Sequence, residues 1–284
     1  KRPIVNFTNV GSCGTATAVS LPCMFSQFPR VAYSYEKGIA HQNVLDVLTH
    51  AGLKVAWWDN NTGDKGLARR IDRRDFTKVE DDEFCGAGEC TDGIFLRALA
   101  EYATTVTEDT VLVLHQIGSH GPTYYLRYPP EFERFTPACR TAEFKDCTTQ
   151  EITNAYDNTI AYTDAMLAQT IDILSDNQRL STALLYVSDH GESLGEAGLY
   201  LHGSPRFLAP EYQTRVPMIL WMSKAFKDQF DLDQECLVAK KDMALSHDNL
   251  FHSLLGMLDI ITDVHDPALD IFASCKSIQK VGQN

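Results

Sequence analysis

Apolar residues gather along this chain in short, nearly unbroken runs, and the runs alternate with stretches of helical period. Residues 4–8, 53–58, 110–117, 183–188 and 216–221 are rich in Val, Ile, Leu, Trp and Tyr. Continuous apolar runs of this length predict strands buried on both faces of a mostly parallel sheet. Between them, 41–51 carries Val44, Leu45 and Leu48 on one helical face and meets Gly52 as a stop. The spacing predicts further helices over 91–102 and over 151–175, where Ile152, Ala155, Tyr162 and Met166 recur near helical positions. A last helix is expected over 246–258, with Ser246 as its cap. Strands alternating with helices imply an α/β sandwich. No repeat or low-complexity linker divides the chain, so it reads as one domain over 1–284.

In sheets of this kind ligands sit at the carboxyl ends of the strands, and the chemistry-bearing residues of this sequence fall there. Asp59 and Asn61 follow one strand, Ser119 and His120 another, Asp189 and His190 a third. One shared edge is expected to carry all three. Within Ser188-Asp189-His190-Gly191-Glu192 an apolar strand ends in a carboxylate and an imidazole, a good zinc-ligand combination. The competing reading makes Asp189 a cap and His190 a structural histidine, and on these residues alone the two are about even. His120 and His202 each lie in a Gly-flanked turn at the same predicted edge. His41, His50, His115, His247, His252 and His265 lack such company and read as structural or exposed.

Ser12-Cys13-Gly14-Thr15-Ala16-Thr17-Ala18 reads as a loop entering a helix, where small residues allow close approach and a helix N-terminus attracts an anion. A Thr hydroxyl there could serve as a nucleophile beside a metal. Spacing alone favours an ordinary Thr cap. Lys65, in the polar turn 60–66, could neutralise a phosphate oxygen, and by itself that turn reads as a solvated loop.

Bulk properties narrow the class. With 44% apolar and 22% charged residues among 284, the chain can bury a core. A net charge of −13 repels nucleic acid, so no nucleic-acid partner is expected. No apolar run approaches the roughly 20 residues of a spanning helix, and no signal peptide opens the chain. Its first residues read like the middle of a domain, so it is expected to be a piece of something longer. Six of the eight cysteines fall in close pairs without a zinc-finger spacing. The pairs Cys13–Cys23, Cys85–Cys90 and Cys139–Cys147, with Cys236–Cys275 by elimination among the ~105 possible connectivities, imply a disulfide framework in a periplasmic or extracellular setting.

Taken together, the segments 12–26, Ser119-His120-Gly121-Pro122-Thr123-Tyr124-Tyr125, Asn154-Ala155-Tyr156-Asp157-Asn158 and 188–196 resemble, in this order, the phosphoethanolamine transferases, which include lipid A modifying and mobile colistin resistance enzymes. The resemblance covers essentially the whole chain. It implies an alkaline phosphatase/sulfatase-like α/β/α sandwich with a mostly parallel central sheet. It implies one or two Zn2+ ions, with Thr17 as nucleophile and with Asp189, His190 and unmodified Thr17 as ligands. His120 and His202 fall on positions for a second zinc or the phosphoryl group, and Asn61 and Lys65 on substrate contacts. The implied reaction moves phosphoethanolamine from phosphatidylethanolamine to a lipid A phosphate, which lowers surface charge and weakens polymyxins and colistin. The resemblance also implies a periplasmic catalytic domain, a monomer, held at the inner membrane by an N-terminal helical domain absent here. One further family ligand, a Glu on a first strand upstream of the nucleophile, is expected to lie before this chain begins. The competing readings are a hydrolase or other transferase on the same fold, such as a sulfatase, phosphodiesterase or glycerophosphate transferase, and a non-catalytic anion-binding domain.

Overall fold

The computed structural model describes residues 2–276. The strands that matter for the site are β1 (Ile4–Gly11), β2 (Lys54–Asp59), β3 (Asp72–Asp75), β4 (Thr110–His115), β5 (Ala183–Val187), β6 (Arg215–Met222) and β7 (Leu245–Ser246). The chain sorts into two compact units: residues 1–51, 178–191 and 202–284 in the first, and residues 52–177 and 192–201 in the second.

The first unit is built on a four-stranded mixed sheet in the order β7-β1-β6-β5. β6 runs antiparallel to both neighbours, with Phe7 opposite Met218 and Leu220 opposite Leu185, while β7 joins β1 in parallel at Val10 and Leu245. Continuous apolar runs report burial on both faces and not direction, so the parallel pairing expected from them holds in the sheet β3-β2-β4 while this sheet is mixed. Phe7, Val10, Leu220, Leu237 and Phe272 lie at 1% exposure or less and form its core. Helix α1 (Thr17–Met24) follows β1, and α2 (Tyr35–Ala40) and α3 (Val44–His50) follow in turn. Asn43 caps α3 reciprocally with Asp46.

The second unit holds a three-stranded parallel sheet, β3-β2-β4, with Trp58 between Arg74 and Leu114. Trp58 packs with Phe76, Ile94, Phe95 and Leu99, the last three from α4 (Ile94–Thr105). The longest helix of the unit, α5 (Thr149–Asp176), buries Ile152, Ala155, Thr159, Tyr162 and Met166, a stripe of helical period. Its first turn is closed by Thr148, whose hydroxyl accepts from the Glu151 N–H while Glu151 returns a bond to the Thr148 N–H.

The disulfides are Cys13–Cys23, Cys85–Cys90, Cys139–Cys147 and Cys236–Cys275. Among the described residues no helix is long and apolar enough to cross a membrane.

Candidate functional site

The first unit brings Thr17, Asp189, His190 and His202 together. β1 delivers the chain into the turn 12–16, and α1 begins on Thr17 itself, with Ala16 as an extended N-cap. Thr17 is therefore the first helical residue and not a cap, and its hydroxyl sits where helical N–H groups lack intrahelical acceptors. Gly14 suits its place in the turn: a Cβ there would stand a tight 3.0 Å from the Ser20 nitrogen and from Val19. Asp189 and His190 follow β5 directly. Gly191 then passes so close to the chain at Tyr212 that a Cβ would stand 2.0 Å from the Tyr212 carbonyl oxygen. The Gly191 N–H is taken up by Gln213 O at 3.1 Å.

His190 is buried, and its Nδ1 lies 3.0 Å from Gly191 O. A carbonyl can only accept, so Nδ1 carries the proton and Nε2 presents a lone pair. That Nε2 stands 3.3 Å from Thr17 Oγ1 and 3.6 Å from Asp189 Oδ2. Asp189 Oδ2 is buried with no hydrogen-bond partner among the described residues. His202 packs against His190 with ring centroids 4.3 Å apart and planes tilted by 35°. Its segment is pinned to the nucleophile turn, since Gly203 N–H donates to Thr15 O and Thr15 Oγ1 to Ser204 O, both at 2.7 Å.

These donors fit a zinc ion. Two ligand atoms on a tetrahedral zinc, each about 2.0–2.1 Å from it, stand roughly 3.4 Å apart, close to the separations seen here. The orphaned carboxylate oxygen and the backbone-anchored imidazole are the features such a ligand pair has before a metal is added. Among the described residues no group of three or more His, Cys, Asp and Glu side chains forms a metal-binding set.

His120, Asn61 and Lys65 lie in the second unit, so the strand ends expected on one edge belong to two sheets. His120 Nδ1 is 2.7 Å from Gly121 O, which assigns its proton to Nδ1, as in His190. The buried Arg127 holds the His120 carbonyl through Nε at 3.1 Å and pairs with Glu89. Asn61 is a brace: its amide donates to Gln116 O at 2.7 Å and accepts from Thr62 N–H at 2.7 Å. Lys65, at φ 50°, folds its ammonium back onto Thr62 O and Oγ1, both at 2.7 Å.

Several further residues, to which the sequence assigned no role, shape these loops. Asp92 is buried and accepts from Asn60 Nδ2, Ile117 N–H and Gly118 N–H at 2.8–2.9 Å, tying together the loops after β2 and β4. Burial pushes its carboxyl up, against those hydrogen bonds. Asp59 is buried too; burial alone would raise it, but His115, Asn61 N–H and Trp57 N–H hold it down at about 2. Glu192, noted in the sequence only as part of a motif, is buried and accepts from Tyr124 OH at 3.3 Å and Gly121 N–H at 3.4 Å. Burial, then the Glu192 charge, pushes the Tyr124 phenol up. His247 is fully buried in the first unit, and burial lowers its imidazole to about 4. Its partners lie 59 and 234 residues away, which is why no local pattern marks it.

Comparison with known proteins assigns the chain to a family. A sequence model of the sulfatase family matches residues 1–260. Phosphoethanolamine transferase EptA of Escherichia coli K12 is 44% identical over 282 residues, covering 99% of this chain and 52% of that protein. The soluble domain of lipooligosaccharide phosphoethanolamine transferase A from Neisseria meningitidis superposes with a TM-score of 0.94 at 43% identity, over 97% of this chain and 83% of that one. The corresponding integral membrane protein gives the same TM-score and identity, over 97% of this chain and 52% of its own length. This chain belongs to the sulfatase family and, within it, to the phosphoethanolamine transferases. Its fold is the α/β fold of sulfatases and alkaline phosphatases. The chain spans about half the length of the curated relatives it matches.

Proposed function

We propose that this chain is the catalytic domain of a zinc-dependent transferase that carries phosphoethanolamine from phosphatidylethanolamine, through Thr17, to a lipid A phosphate. The observation that carries the reading is the convergence of Thr17 Oγ1 and the orphaned Asp189 Oδ2 on His190 Nε2, at 3.3 Å and 3.6 Å. Bound there by Asp189, His190 and Thr17, zinc would supply Lewis-acid stabilisation of alkoxide and phosphoryl charge. The α1 N-terminus adds a favourable field for an oxyanion at Thr17.

In the first step the Thr17 oxygen attacks the donor phosphorus in line. A new P–O bond forms as the bond to the diacylglycerol oxygen breaks, and that oxygen takes up a proton. His202, packed against His190, and His120 are the imidazoles we assign to proton transfer and to the equatorial phosphoryl oxygens, or to a second zinc. Asn61 and Lys65 are assigned to substrate contacts, Lys65 after release from Thr62. In the second step a lipid A phosphate oxygen attacks the phosphorus, and Thr17 leaves. Splitting one difficult transfer into two easier displacements is the general gain of covalent catalysis.

Adding an amine to lipid A would lower surface negative charge and with it the affinity of polymyxins and colistin. Four disulfides suit a periplasmic location. We assign membrane attachment at the inner membrane to sequence outside this chain, as a relative is described as an integral membrane protein.

Peptide mass spectrometry after incubation with zinc and phosphatidylethanolamine tests the reading, with this chain run beside a version of its relatives' length. A phosphoethanolamine adduct on Thr17 is expected, and none in Thr17→Ala, which should keep the native circular dichroism. Transfer retained by folded Thr17→Ala would refute the nucleophile. Free phosphoethanolamine released to water in preference to lipid A would point to a hydrolase.

A further inference from the structure

His247 follows β7 and precedes the helix α6 (Asp248–Met257), where it makes no side-chain cap; Ser246 Oγ instead accepts from Asp248 N–H. The His247 ring is 2% exposed and lies between two backbone segments of the first unit. Nδ1 accepts the Cys13 N–H at 3.0 Å, in the turn that leads to Thr17. Nε2 is 2.9 Å from Ser188 O, one residue before Asp189. An N–H can only donate and a carbonyl can only accept, so both contacts hold only for the neutral ring protonated on Nε2. Ser20, on α1, completes the link: its hydroxyl donates to Asp189 O, accepts from Gly14 N–H at 3.2 Å and lies 3.3 Å from His247 Nδ1. The turn bearing the nucleophile and the segment bearing the ligand pair are thus not bonded only through Thr17 and His190. A buried imidazole of fixed tautomer spans them.

We infer that His247 is a positioning residue, setting the separation of the Thr17 turn from the Asp189–His190 segment through its Cys13 and Ser188 bonds. The inference rests on the reading above for its catalytic consequence, but the clamp itself is a property of this chain. A stacked or substrate-facing histidine would act through its ring charge. His247 acts through two backbone groups, so an uncharged side chain that keeps one bond should keep part of its effect.

Three substitutions separate these roles. His247→Phe keeps a ring and loses both bonds. His247→Asn places an amide oxygen where Nδ1 stands and keeps the Cys13 bond, and His247→Gln places an amide nitrogen where Nε2 stands and keeps the Ser188 bond. Zinc-supplemented protein is followed by the single-turnover rate of Thr17 loading from phosphatidylethanolamine, the donor KM, chelator competition for zinc, and hydrogen exchange of peptides covering 12–20 and 186–191. We expect folded His247→Phe to load Thr17 roughly 100-fold more slowly, the scale of a misplacement near 1 Å, with KM little changed. Zinc should bind more weakly, and exchange should rise in those two peptides above the rest of the unit. Asn and Gln should each recover about tenfold of the rate. Loading by folded His247→Phe at the wild-type rate, or a loss falling wholly on KM, would overturn the proposal. If the Phe variant does not fold, wild-type loading in both Asn and Gln overturns it, and slowed loading at unchanged KM in either upholds it. Absence of any Thr17 adduct in wild-type protein would sink the functional reading alone. Zinc affinity and local exchange would then decide: wild-type values in every folded variant overturn the clamp, and loosening confined to the two peptides upholds it.

Discussion

Gly191 shows how little room the site leaves at the scale of a single residue. Its Cα faces the Tyr212 carbonyl so closely that an added methyl group would stand 2.0 Å from the oxygen. Because that oxygen is backbone, relief must come from moving a chain segment and not from turning a side chain. Gly191→Ala is expected to cost about 1–3 kcal/mol, as overpacking does elsewhere, read as a lower urea midpoint at unchanged m-value. A midpoint equal to wild type would show that the 212–213 segment yields freely. At this scale the sequence was informative where chemistry is local. Asp189 and His190 stand side by side at the end of an apolar strand, and Thr17 lies in a run of small residues. It was silent where partners are distant: Asp92 acts on Asn60, Ile117 and Gly118, and His247 on Cys13 and Ser188. Lys65 carried a correct charge but no hint that its ammonium turns back on Thr62.

Among elements, those with strong periodicity were legible and those held only by pairing were not. α5 could be read from its apolar stripe, but its start at Thr149, two residues before the expected 151, is set by the reciprocal cap of Thr148 and Glu151. Thr148→Ala removes the acceptor for the Glu151 N–H and should cost about 1 kcal/mol, measurable as a drop in Tm that Thr148→Ser largely restores. An unchanged Tm in the Ala variant would mean that packing of Ile152 and Ala155 alone fixes the first turn. β3 is the opposite case. Asp72-Arg73-Arg74-Asp75 has no apolar signal at all and becomes a strand by pairing with β2 at the sheet edge, where charged side chains are favoured. The short α2 gave no apolar stripe either, and Ser34, which caps it, lies in an otherwise unremarkable polar stretch.

For the whole molecule, the buried imidazole ties stability to pH in a direction that can be worked out. The ordinary His value is near 6.5, and burial lowers His247 to about 4. Between those values an unfolded chain takes up a proton that the folded chain refuses. The unfolded state binds more protons there, so stability falls as pH drops from about 6.5 to about 4, by as much as about 3 kcal/mol from this group. His252, also lowered by burial, acts in the same direction. Asp92, raised by burial, opposes it, because its folded form holds a proton to higher pH than the unfolded chain does. Asp59, held at about 2, extends the acid loss to lower pH: its stabilisation is present above about 4 and disappears as pH falls toward 2. Urea unfolding measured from pH 8 to pH 3 separates these contributions. Wild-type stability should decline below about 6.5. His247→Gln, which cannot titrate, should lose much of the slope between 6.5 and 4 while keeping the Asp59 decline below it. A variant whose slope in that window matches wild type would mean that His247 is protonated inside the fold, and then Nδ1 could not accept the Cys13 N–H.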